Sequence, residues 1–282
     1  MADLRLATRR SPLALAQARI VADALAVAGV GSSIVHVVTT GDTDRKTSVT
    51  TLTEVGAFVR SVQQAVLEGR ADAAVHSAKD LPVTGPAELV AFYPDRAAPG
   101  DVLCGTDLQS LSRGARVGTG SPRRSSQLRL LRPDIEVVDI RGNVESRLAM
   151  IGDAVDAVVL AEAGIARLGR QSDIAYRFRT SEMVPAPAQG AIAVEAPAGS
   201  SAAQLLAAIE DGPARVAVEA ERQLLSLTGA GCRSALGAYA RFDGGKRLEM
   251  WGFVEDERGA RRGRVSATAS EAASRLREEL AL

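Results

Sequence analysis

The chain has 282 residues, 46% of them hydrophobic and 24% charged, which is the balance of a soluble globular protein of about two domains or slightly more. Lysine plus arginine equals aspartate plus glutamate at 34 each, so no global field recruits nucleic acid or an anionic membrane, and an anion site must be local. The charged start "MADLRLATRR" does not read as a signal peptide, and no segment has the ~18 uninterrupted apolar residues of a membrane span, so a cytoplasmic location is expected.

In chain order, "LRLAT" reads as a strand, "RRSP" as a turn, Leu13 to about Ala28 as a helix and "IVHVVTT" as a second strand, a βαβ start. The polar stretch "TGDTDRKTSVTTLTE" exceeds an ordinary connection and reads as a functional lid in preference to a disordered insertion. A helix and the apolar strand in "ADAAVHSAKD" follow. Near Arg116 the plan repeats: strand "RVGTG", then "SPRR", a helix to about Arg132, strand "IEVVDI", and later "VDAVVLAEAG". Strands alternating with helices predict a mainly parallel sheet in each half. "YPDRAAPGD" reads as a linker and "VPAPAQG" as a second crossing between the halves, after which the strand "AIAVEA" is expected to return to the first domain, leaving its sequence discontinuous. After Gly212-Pro213 the sequence predicts a long helix to about Leu227, strands near "LGAYARF", "RLEMWGFVE" and "GRVSAT", and a terminal helix, a small α+β domain.

Chemistry is expected where strands hand over to helices. Ser11-Pro12 and Ser121-Pro122 are good helix starts on structural grounds alone, but helix N-termini also present free amides to anions, here beside Arg9, Arg10, Arg123 and Arg124. From Arg113 to Arg147 there are eight arginines against four acids, and Arg141 and Arg147 lie just beyond a strand end. Guanidinium forks hold carboxylates bidentately. With nine aromatic residues in the chain, nucleic acid has little to stack on. "GTG" lacks the remaining spacing of a dinucleotide fingerprint. Lys79 beside Asp80 is either a solvated ion pair or a site at a strand end, and His76 reads as structural. With two histidines at unlike places and two cysteines, a metal site is not expected. Cys232 lies in the glycine-flanked stretch "TGAGCRS", where Arg233 would favour the thiolate; a small buried hydrophobe is the alternative.

The motifs "ATRRSPLALAQA", "ADAAVHSAKDLP", "VGTGSPRRSSQL", "DIRGNVESRL", "AEAGIARLG", "PAPAQGAIAVE" and "AERQLLSLTGAGC" resemble, in order and spacing, the porphobilinogen deaminase (hydroxymethylbilane synthase) family. The resemblance implies an α/β fold: two doubly wound domains like those of periplasmic solute-binding proteins, plus a small α+β C-terminal domain. The domains would be 1–92 with 190–209, then 97–185, then 213–282 carrying the cofactor cysteine. It also implies a transferase of tetrapyrrole (haem) biosynthesis that condenses four porphobilinogens head to tail, each losing ammonia, and releases hydroxymethylbilane.

The resemblance further implies that Cys232 carries dipyrromethane through a thioether and that Asp80 is the catalytic carboxylate. Ser77, Lys79, Thr119, Ser121, Arg123, Arg124, Arg141, Arg147 and Gln189 would contact the cofactor, and Arg9, Ser11 and Arg167 the substrate. A monomer is expected, with no metal, nucleic acid or membrane. The chain departs from the family pattern at Val55, where a loop lysine is common although Arg60 keeps a basic residue, and at Gly120, where a hydroxyl is common. It departs also at "APGD" for "DPRD", after the cysteine in "RSALG", and in a short third domain. A non-catalytic two-domain binding protein or sensor for a small anion, or a specialised paralogue, is the competing reading; the first leaves the appended cysteine unexplained.

Overall fold

The computed structural model describes residues 3–37, 52–229 and 235–282, with the backbone alone for 52–55 and 57. The expected lid from 40 almost to its end, Cys232 with Arg233, and the side chain of Val55 therefore lie outside the described residues. The chain divides into two compact units, Met1–Arg96 with Ala191–Arg215, and Ala97–Gly190 with Val216–Leu282.

The first unit contains β1 (Leu4–Thr8), α1 (Pro12–Val27), β2 (Ser32–His36), α2 (Leu52–Leu67), β3 (Ala73–Ser77) and β4 (Leu89–Phe92), and later β10 (Ile192–Pro197) and α6 (Ser201–Ala207), numbered in chain order. Its sheet order is β2-β1-β3-β10-β4. The strands are apolar on both faces because helices cover both: Leu4 and Leu6 pack with Val21, Leu25 and Leu206 on one side, while Ala7 and Ala74 pack with Val62 and Ala65 on the other. α1 starts at Pro12, one residue before the expected Leu13, since proline's fixed φ suits the first helical position.

The second unit repeats the plan with β5 (Asp101–Cys104), β6 (Arg116–Gly118), α3 (Pro122–Leu131), β7 (Glu136–Val138), α4 (Val144–Leu148), β8 (Ala157–Ala161), α5 (Glu162–Arg167) and β9 (Ile174–Arg177), in sheet order β7-β6-β8-β5-β9. Each sheet is parallel over β2-β1-β3 or β7-β6-β8, then interrupted by one antiparallel strand, β10 or β5. Those two strands are the ones that follow the crossings. A strand that arrives by a crossing is not constrained by the right-handed βαβ connection that makes its neighbours parallel.

The same unit includes most of α7 (Gly212–Leu227) and an antiparallel meander, β11 (Ala235–Phe242), β12 (Leu248–Asp256) and β13 (Gly259–Ala267), followed by α8 (Ala269–Glu279). Leu224, Leu248, Met250, Leu276 and Leu280 form its own core. The architecture is thus two doubly wound α/β sheets plus a small α+β element.

Candidate functional site

In the first unit, β1 and β3 are parallel neighbours, so their carboxyl ends lie at the same end of the sheet, where ligands of open α/β sheets collect. Ser11 follows β1 and caps α1, its Oγ accepting from the Ala14 amide at 3.3 Å. Arg9 places its guanidinium 3.8 Å from the centre of the Phe58 ring. Ser77 ends β3, and its Oγ accepts from Gln17 Nε2 at 2.7 Å, tying that strand end to α1. A single 3₁₀ turn, Ala78–Asp80, follows and presents Lys79 and Asp80, both half-buried. The topology therefore brings Arg9, Ser11, Ser77, Lys79 and Asp80 to one end of one sheet.

His76 belongs elsewhere. It is buried on β3 with its Nε2 3.2 Å from Glu195 Oε2, and Gln63 Nε2 donates to the same carboxylate at 2.8 and 3.1 Å. This buried cluster fits the structural reading of the histidine.

In the second unit the organising group is Asp101, which sequence reasoning passed over. Its side chain is fully buried at the start of antiparallel β5, paired in register with Ala161 at the carboxyl end of β8. Arg123 Nη1 donates to Asp101 Oδ2 at 2.7 Å and to the Val184 carbonyl at 2.7 Å. Arg124 donates from Nε to Oδ1 at 2.9 Å, with its Nη2 in ion-pair contact with the same oxygen at 2.7 Å, and from Nη1 to the Val159 carbonyl at 3.0 Å. Gln189 Nε2 reaches Oδ1 at 3.0 Å and the Pro99 carbonyl at 2.7 Å. Burial alone would raise the Asp101 pKa, but the charges of Arg123 and Arg124, with hydrogen bonds from Arg123 and Gln189, overcome it and hold the carboxyl far below the usual range. The signal available in the sequence was an acid heading the otherwise apolar strand "DVLC", which requires a cation once buried.

The remaining predicted residues surround the same sheet end. Thr119 is buried just past β6 and its Oγ1 accepts from the Ser121 amide at 3.2 Å; Ser121 caps α3. Arg147 sits in α4, capped by Asn143, and its Nε donates to the Gly142 carbonyl at 2.8 Å. Burial, then repulsion from Arg124, lowers its pKa. Arg141 is mostly exposed, 3.8 Å from Asp139. Arg167 ends α5 and donates from Nη2 to the Gly190 carbonyl at 2.7 Å. Gly120 has a steric reason here, because a Cβ would lie 2.7 Å from the Ile140 carbonyl oxygen.

Arg123 and Arg124 thus share one buried carboxylate, and Arg147 lies close enough to feel the charge of Arg124, leaving an excess of positive charge beside capped helix starts. That arrangement holds anions, carboxylates in particular. Among the described residues no group of three histidine, cysteine or acidic side chains is placed to hold a metal, and no helix is long and apolar enough to cross a membrane. A groove of about 450 Å³ in the second unit is lined by Arg170, Asp173 and Ile151, among others, and none of the predicted site residues lines it.

Residues 4–204 match the family model "Porphobilinogen deaminase, dipyromethane cofactor binding domain". The chain is 42% identical to a porphobilinogen deaminase of Roseiflexus castenholzii over 290 aligned positions, covering 99% of this chain and 95% of that one. It is 45% identical to the enzyme of the same name from Acidothermus cellulolyticus over 245 positions, covering 83% and 74%. Among solved structures, the methionine-binding protein MetQ matches at 10% identity with a TM-score of 0.45, covering 81% of this chain and 96% of that one, too slight a likeness to add to the sheet orders above. With a family model spanning most of its length and relatives this similar, the chain belongs to the porphobilinogen deaminase family.

Proposed function

We propose that the arginine-rich end of the second sheet holds pyrrole carboxylates while Asp80, in the turn that follows β3 of the first sheet, performs the repeated chemistry. The reaction is that of the family: as a transferase, the enzyme joins four porphobilinogen molecules head to tail with loss of ammonia and releases hydroxymethylbilane, a step of tetrapyrrole biosynthesis. The observation that carries the residue assignment is the Asp101 cluster, two buried guanidiniums on one carboxylate with Arg147 beside them.

A dipyrromethane bears acetate and propionate groups, and the residues present fit it. Cys232 would hold it through a thioether, with Ser77, Lys79, Thr119, Ser121, Arg123, Arg124, Arg141, Arg147 and Gln189 meeting its polar groups. When bound, it supplies the nucleophilic pyrrole carbon to which the first substrate is joined. Arg9, Ser11 and Arg167 are assigned to incoming porphobilinogen. The negative charge of Asp80 would stabilise the cation left in the substrate when ammonia departs, and would manage the proton on the pyrrole nitrogen. We further assign residues 1–92 with 190–209, 97–185 and 213–282 as three domains, the last carrying the cysteine, in a cytoplasmic monomer that binds neither nucleic acid nor membrane.

Asp80→Asn preserves shape and removes charge, so each condensation should slow by about 10²-fold or more while the fold is retained. Single-turnover elongation followed by intact mass, with circular dichroism as the control, checks this. Wild-type stepping in that variant would reduce Asp80 to an ordinary partner of its neighbours. A small-anion binding protein, the competing reading, predicts no turnover of porphobilinogen by the wild type, and the family membership disfavours it.

A further inference from the structure

The second crossing contains a residue in an uncommon conformation, held by a buried acid from another element. The Gln189 amide donates to the Ala186 carbonyl at 3.0 Å, closing a turn with Pro187 and Ala188 at its centre. Ala188 is fully buried with φ 63°, the left-handed region where this turn position ordinarily takes glycine. A non-glycine residue persists there only when its surroundings over-determine it.

Glu221 on α7 supplies that constraint. Its side chain is fully buried, Oε2 accepting from the Ala188 amide at 2.6 Å and Oε1 from the Ala240 amide of β11 at 2.7 Å. The same stretch is gripped twice more. The Ala238 amide donates to the Pro185 carbonyl at 2.9 Å, and Gly237 allows this approach, since a Cβ there would lie 2.8 Å from the Val184 carbonyl oxygen. On its other side, Val184 exchanges hydrogen bonds with Gln127 and accepts from Arg123. The residue after Ala188 is Gln189, whose amide contacts Asp101.

We propose that Glu221 is a positioning residue: by fixing Ala188 in its left-handed conformation it directs Gln189 onto Asp101. It thereby registers α7 and β11, the two elements that flank the Cys232 stretch in sequence, with the arginine cluster. It touches no reacting atom in this role. The kinetic arm of the test rests on the function proposed above; the exchange arm does not.

Three variants test it: Glu221→Gln, Ala188→Gly and the double. Glutamine keeps the size but turns a donor toward one of the two amides. Glu221→Gln should speed amide hydrogen exchange across 184–190 and slow single-turnover elongation by about ten- to a hundredfold, with the half-saturating porphobilinogen concentration little changed, because a positional defect falls on the chemical step. Ala188→Gly alone should behave as wild type, since glycine adopts positive φ freely. The double variant should regain most of the elongation rate. If Glu221→Gln alone does not fold, recovery of folding in the double is the expected result. Wild-type exchange and rates in Glu221→Gln, or a double variant no better than the single, overturn the proposal. Faster exchange in Glu221→Gln, alongside a wild-type protein that never consumes porphobilinogen, would overturn the functional reading and leave the positioning role standing.

Discussion

Asp101 shows how a single buried acid organises two of the residues singled out in the sequence. Replacing it by asparagine leaves Arg123 and Arg124 buried without their shared anion, and removing one partner of a buried pair costs about 3–5 kcal/mol. Asp101→Asn should lose that much stability in chemical denaturation at neutral pH. Because the folded-state pKa is depressed, the native state binds fewer protons than the unfolded one near the carboxylate range. The contribution is therefore fully present above the unfolded pKa of about 3.9 and lost as pH falls through the folded value, so the deficit of the variant should shrink below about pH 4. Cys104 gives a second test at this scale: burial, reinforced by the charge of Asp173, pushes its thiol up to about 11. It should resist alkylation in the native protein at pH 8 and react once unfolded, as peptide mapping would show. The sequence directed Arg123 and Arg124 toward ligand carboxylates through their place at a helix start; it did not disclose Asp101, which meets them from 22 and 23 positions away.

At the scale of elements, caps and periodicity were legible and close approaches were not. Ser11 and Ser121 cap α1 and α3 as their Ser-Pro steps predict, since the cap is a local interaction among residues three apart. The need for Gly120 arises from the Ile140 carbonyl on a different element, which local sequence does not report. Gly120→Ser restores the hydroxyl common in the family yet inserts a Cβ against backbone, and should destabilise this protein by about 1–3 kcal/mol. A thermal melt of the variant checks this; an unchanged midpoint would mean that the 140 region shifts freely. The antiparallel insertion of β5 and β10 was likewise outside the reach of pattern, because strand direction depends on how the chain re-enters a sheet.

For the molecule as a whole, the decisive measurement is intact mass. The active protein should be heavier than its sequence by a dipyrromethane, the addition should map to Cys232, and Cys232→Ser should lack it while Cys104→Ser keeps it. Active protein at its bare sequence mass would remove the covalent primer from the account. The zero net charge makes a separate prediction. Any affinity for carboxylates should track the local arginines, so charge-neutral substitution of Arg123 or Arg124 should stall the ladder of one to four added pyrroles at an early step, and of Arg167 at a later one.

Sequence alone determined the βαβ start of each half, the helix and strands of the C-terminal element, the return of residues 192–197 to the first domain, and the family, because these follow from short-range periodicity, caps and motif spacing; β4, β5, β9 and α6 were not read from it. Tertiary structure alone decided which acid meets the paired arginines, why Gly120 bears no side chain, and that Glu221 grips Ala188 and Ala240 together. Each of those is a contact between residues far apart in the chain, made obligatory by burial: a charge or an amide removed from water must find a partner, and the fold, not the local pattern, supplies it.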